Sequence, residues 1–229
     1  MSTRNLAKDQ PDSFVFTDEH KVRIEKIIAK YPKGYQASAV IPLLDLAQRQ
    51  ELWVTKPAID LIAEMLGMPV IRVLEVATFY TMFNLKPVGK CNVQVCTSLS
   101  CWLRGSNDVV KACNDKLGIK FGETTPDGAI TLSEVECAGA CVNAPVVAVG
   151  DEYYEDLNYE TMSKLIDTIK SGNPPAPGSA VGRQGAEPEG NRTSLTTDPT
   201  QTAPMQDLAA AKQKHEDAQE AARKAKENA

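Results

Sequence analysis

The sequence predicts an α+β protein: a small helical bundle, then a mixed sheet covered by helices, then a disordered tail too polar to build a core. Three observations predict it. Apolar residues recur at helical spacing through residues 18–85. From Cys91 the pattern changes to strand alternation, and the segments then run β-α-β-β-β-α, an order that suits an open mixed sheet with helices on it. Beyond Gly172 the chain turns to Pro, Gly, Ser and Thr without an aromatic residue. The expected parts are therefore 14–88, 89–172 and 173–229.

In the helical part, Thr17 is the N-cap of "DEHKVRIEKIIAKYP", with Ile24, Ile27 and Ile28 on one face and Pro32 and Gly34 as the stop. "SAVIPLLDLAQRQELW" reads as a second helix, bent near Pro42. Thr55 caps a third, which buries Ile59, Ile62, Ala63 and Leu66 and ends at Gly67. Pro69 opens a fourth, "PVIRVLEVATFYTMF". This part has no cysteine and more apolar surface than four short helices can hide, which marks it for docking a partner.

In the sheet part, Cys91, Val93 and Val95 alternate with Asn92, Gln94 and Cys96 along one strand. Ser106 is expected to cap a helix over 107–117, with Asp108 in its first turn. "GAITLSEVE" gives another strand, and "PVVAVGDEYYEDL" a hairpin turning at Gly150-Asp151. Asn158 caps a last helix with Tyr159, Met162, Leu165, Ile166 and Ile169 on one face and Gly172 as its end. Residues beyond it cannot offset their ordering entropy and are expected to be dispensable for folding. Within them, 205–227 has the composition of a solvated helix.

Composition excludes several classes. The 30 acidic and 25 basic residues leave a net charge of −5 with no basic stripe, so no nucleic acid is expected. The N-terminus lacks the apolar core of a secretory signal, and no apolar run reaches the ~18 residues of a membrane span. No GxG and no phosphate loop occur. A soluble intracellular chain is expected, in which clustered thiols hold metal more often than they form disulfides.

Four of the six cysteines stand in two close pairs, in "VCTSLSCWLRG" and "ECAGACVNAP". Cys96 and Cys101 enclose four residues, Cys137 and Cys141 three, and 35 residues separate the pairs. Each pair ends or follows a strand, so both loops can meet at one sheet edge. Structural zinc, disulfides and a 2Fe–2S cluster compete for them. Zinc knuckles use tighter spacing, whereas wider loops suit a larger cluster. Ala138, Gly139 and Ala140 let backbone amides approach, and Thr97, Ser98 and Ser100 can donate hydrogen bonds. The only histidines, His20 and His215, lie outside this part, which excludes a Rieske centre and disfavours a His-containing zinc site. Cys91 and Cys113 share faces with valine and leucine and read as small buried hydrophobes. Trp102 admits two readings, a shield for the site or core filling, and Arg104 two more, a counter-charge or a solvated side chain.

Together with "VLEVATFYTMFNLKPVGK", these motifs resemble the small 2Fe–2S subunit (24-kilodalton type) of respiratory complex I, NADH–quinone oxidoreductase, over residues 14–172. The resemblance implies a thioredoxin-like second domain and one 2Fe–2S cluster per chain, ligated by Cys96, Cys101, Cys137 and Cys141. It implies an electron-transfer subunit of a proton-translocating oxidoreductase, exchanging single electrons with FMN. FMN and NADH would belong to a flavoprotein partner, beside other peripheral-arm subunits. The complex would lie at the inner face of the cell membrane, or on the matrix side in a mitochondrion. Two other readings remain. The same module serves NAD-linked hydrogenases and formate dehydrogenases, and a zinc-binding interaction protein would have no redox role. The tail after Gly172 is longer than in many relatives, and the resemblance assigns it nothing.

Overall fold

The structure is a computed structural model that describes residues 5–188, 190 and 194. The expected helix at 205–227 lies outside the described residues.

The first part is helical. Helix α1 (Asp18–Ile28) starts where the Thr17 hydroxyl accepts from the His20 amide. A 3₁₀ turn, Gln36–Ala39, leads into α2 (Val40–Glu51). Pro42 thus falls in the first turn of α2, where its missing N–H costs nothing, and the helix begins there instead of bending. Helix α3 (Lys56–Leu66) is capped by Thr55 and stopped by Gly67 at φ 60°. Helix α4 (Val70–Phe79) follows Pro69. Ile24, Leu43, Leu44, Ile59, Ile62 and Val73 form the core between them. Burying each such side chain is worth about 1.5–3 kcal/mol, which the short helices need because none is stable alone.

The second part is a five-stranded mixed sheet in the order β2-β1-β3-β4-β5. Its strands are β1 (Cys91–Cys96), β2 (Ile130–Val135), β3 (Val147–Val149), β4 (Glu152–Glu155) and β5 (Gly178–Ser179). β1 runs parallel to β2, and the crossover between them carries α6 (Ser106–Leu117). β3 pairs antiparallel with both β1 and β4, turning at Gly150, whose φ of 63° suits a two-residue hairpin. Helix α7 (Tyr159–Lys170) opens with a capping box between Asn158 and Thr161. Val109, Cys113 and Leu117 of α6 and Met162, Leu165 and Ile166 of α7 bury the sheet face of Val93, Val95, Ile130 and Leu132. Cys91 is half-buried against this core and Cys113 is fully inside it.

Three elements differ from the sequence reading. Gly105, at φ 100°, caps α6, and Ser106 is its first helical residue. A five-residue helix, α5 (Leu99–Leu103), occupies what read as a loop. β5 lies beyond Gly172, pairing parallel with β4, so the compact unit continues to Gly182. Arg49 of α2 joins the helical part to the β3–β4 hairpin, donating to both carboxylate oxygens of Asp151 at 2.8 and 3.0 Å and to Asp45 at 2.8 Å.

Candidate metal centre

Strand β1 ends by delivering Cys96 to the sheet edge, and Ser98 at once opens α5, which carries Cys101. Both sulfurs are buried, against Ala144 and Val146. From the neighbouring strand β2, the chain passes into the loop of Cys137, and Cys141 begins a 3₁₀ turn, Cys141–Asn143. That turn is fixed to β4: Asn143 Nδ2 donates to Glu155 at 2.7 Å, and the Asp156 amide donates to the Asn143 carbonyl at 2.8 Å. Cys137 and Cys141 are exposed, and all six cysteines are free thiols.

Parallel pairing of β1 and β2 sets Cys96 beside Val135, and this register brings the two loops together. Thr97 Oγ1 then donates to Glu134 at 2.6 Å, tying the first loop to the strand that carries the second. The amide of Ala138, in the second loop, donates to the Cys96 sulfur. Burial raises the Cys96 thiol, but the amides of Ala138 and Ser98, with Cys101 and the Ser98 hydroxyl, outweigh it and leave it below its ordinary value. Cys101 is pushed up to about 11, first by burial, then by its hydrogen bond with Cys96 and the nearby charges of Cys96 and Cys141, against the Val146 amide. Proximity of Cys141 to Cys101 links the second pair to the first.

The Cys137 and Cys141 sulfurs stand 3.7 Å apart. Two thiolates about 2.3 Å from one tetrahedral metal would be separated by about 3.8 Å, so this pair has the spacing of two ligands on one ion. A disulfide would need about 2.05 Å. Cys96 and Cys101 form a second hydrogen-bonded pair. Among the described residues, no three Cys, His, Asp or Glu side chains are grouped closely enough to hold a single ion. Two dithiol pairs side by side fit a two-metal centre with two thiolates per metal.

The donors differ in part from the sequence reading. Ser98 faces Cys96 as expected, whereas Thr97 is spent on Glu134. The Ala138 amide reaches sulfur as the small residues of its loop led one to expect, whereas the Val146 amide and Tyr153, whose hydroxyl donates to the Ala138 carbonyl at 2.9 Å, were missed. Only the topology places these two. Trp102 is half-exposed and does not fill the core. His20 lies in the helical part, with Nδ1 3.2 Å from Gln50 Oε1.

Residues 24–170, which include all four paired cysteines, match the family described as thioredoxin-like [2Fe-2S] ferredoxin. The chain belongs to this thioredoxin-like [2Fe-2S] ferredoxin family. Its cofactor is a 2Fe–2S cluster, and zinc is set aside. The chain is 57% identical over 160 residues to an NADH-quinone oxidoreductase subunit of Rickettsia conorii, covering 69% of this chain and 96% of that one. It is 48% identical over 196 residues to the mitochondrial NADH dehydrogenase [ubiquinone] flavoprotein 2 of Dictyostelium discoideum, covering 85% and 79%. Among solved structures, an NAD+-reducing [NiFe]-hydrogenase in the air-oxidized state aligns with a TM-score of 0.51 at 18% identity, over 58% of this chain and 23% of that one. That last likeness is one of fold.

Proposed function

We propose that this ferredoxin-family chain is the electron-transfer subunit of an NADH–quinone oxidoreductase, holding one 2Fe–2S cluster on Cys96, Cys101, Cys137 and Cys141. The observation that carries the proposal is the 57% identity over 96% of the Rickettsia protein. The hydrogenase shares only the fold, which ranks that reading second. Cys96 and Cys101 would hold one iron, and Cys137 and Cys141 the other. The cluster, when bound, accepts or gives one electron at a time, which lets it exchange electrons with the FMN of a neighbouring NADH-binding flavoprotein. The protein's own part is to exclude water and fix the sulfurs. Ala144 and Val146 pack dry against the first pair, and the amides of Ala138, Ser98 and Val146 donate to sulfur. Four thiolates make the centre anionic and keep its potential low, near the plant-type value of about −400 mV.

The helical part docks the flavoprotein and its peripheral-arm neighbours. Its Ile71 and Phe79 are 65% and 75% exposed, apolar surface that a docked partner would cover. No helix among the described residues is long and apolar enough to cross a membrane. The protein reaches the inner membrane face, or the mitochondrial matrix face, through the complex. The test is affinity purification of the tagged chain from its own membranes. An FMN-containing, NADH-oxidising flavoprotein is expected to co-purify. Recovery with a nickel hydrogenase instead would contradict the proposal.

A further inference from the structure

The Ala138–Gly139 peptide is engaged at both ends. Its carbonyl accepts from Tyr153 Oη at 2.9 Å, and its N–H, that of Gly139, donates to Cys137 Sγ at 3.4 Å. The preceding N–H, of Ala138, donates to Cys96 of the other pair. Two successive amides thus point at sulfurs from both pairs, an arrangement that stabilises negative charge. Gly139 holds this turn at φ 80°, which a side chain would strain. A turn of small residues has nothing of its own to fix the peptide plane. Tyr153 supplies the fixture from β4, a strand that carries no cysteine and is held to β3 through Glu152, Tyr153 and Tyr154.

We infer that Tyr153 is a positioning residue for the metal centre: its hydroxyl orients the Ala138–Gly139 peptide so that the Gly139 amide stays on Cys137, and so sets the reduction potential. This rests on the ligand assignment of the proposed function. Reduction adds one electron to the centre and makes its sulfurs more negative, so N–H···S bonds strengthen in the reduced state and raise the potential. The Tyr153 hydrogen bond polarises the peptide in the direction that strengthens its N–H. No bond breaks and no proton need move; the electron comes from the reduced flavin of the partner.

The experiment compares the cluster-loaded full-length chain with its Tyr153→Phe variant by EPR-monitored redox titration and iron analysis. Tyr153→Phe is expected to keep its iron, shift its g-values and lower the reduced-to-oxidised ratio at fixed potential by roughly two- to tenfold. For one electron that is about 18 to 59 mV more negative. An unchanged potential and spectrum at full iron would overturn the inference. Should Tyr153→Phe fail to hold iron, 4-aminophenylalanine at position 153 restores a donor on the same ring. Recovery of iron with a near-native potential supports the positioning role, and no recovery overturns it. Full iron in alanine variants of the four cysteines would overturn the ligand assignment instead, which keeps that failure distinct from one at Tyr153.

Discussion

Cys113 shows how a thiol is kept out of the chemistry. It is fully buried between α6 and the sheet, and burial pushes its thiol from the ordinary 9.0 up to about 12. A thiolate is the form that ligates metal or reacts, so this cysteine stays protonated and inert. Because the folded value is the higher one, the contribution to stability is complete below about 9 and declines as pH rises from there towards about 12, where only the unfolded chain ionises readily. Cys113→Ala is expected to cost about 1 kcal/mol in lost packing near neutral pH. Its penalty should shrink between pH 9 and 12, since alanine has no proton to lose. Urea denaturation of both proteins across that range checks the sign; a penalty that grew with pH would contradict it. Three of the four paired cysteines differ: the sulfurs of Cys96, Cys101 and Cys137 accept from the amides of other residues.

At the scale of elements, β5 is the strand that decides where the folded unit ends. It adds two residues to the sheet, and three further bonds hold it: Ala180 N to Glu155 O at 2.9 Å, Ser179 Oγ to Asp156 at 2.6 Å, and Tyr154 Oη to the Pro175 carbonyl at 3.2 Å. A chain ended at Gly182 is expected to melt like the whole protein. One ended at Gly172 loses these contacts and is expected to melt lower by about 3 to 18 °C, for three bonds at net values of about 0.5–1.5 kcal/mol each. Equal melting temperatures for the two truncations, by circular dichroism, would show that β5 adds nothing. Composition could not reveal this strand, because Gly178 and Ser179 have no β propensity and owe their state to β4. The same reason hid α5: five residues are too few for a helical period, and its Ser98 turns its hydroxyl to Cys96 instead of capping. Local signals did suffice for α3 and α7, where Thr55 and Asn158 each accept from the helix they open.

At the scale of the molecule, a helical core and a sheet core are bridged by Arg49 and Asp151. Guanidinium hydrogen bonds hold the Asp151 carboxyl below its usual range, yet the pair is exposed and contributes at most about 1 kcal/mol. Its place matters more than its energy: it joins the proposed docking part to the hairpin whose strand β4 carries Tyr153. The site's chemistry was legible in the sequence because thiols are few and their spacing is unusual; its geometry was not, because the parallel register of β1 and β2 decides which loops meet. The central claim is that four cysteines, two per metal, hold one 2Fe–2S cluster. Iron and acid-labile sulfide per chain, measured across single alanine variants of all six cysteines, test it most directly. Alanine at Cys96, Cys101, Cys137 or Cys141 is expected to abolish most of both, whereas Cys91→Ala and Cys113→Ala keep near wild-type stoichiometry. Loss of iron at Cys91 or Cys113 with retention at any of the four would contradict the account.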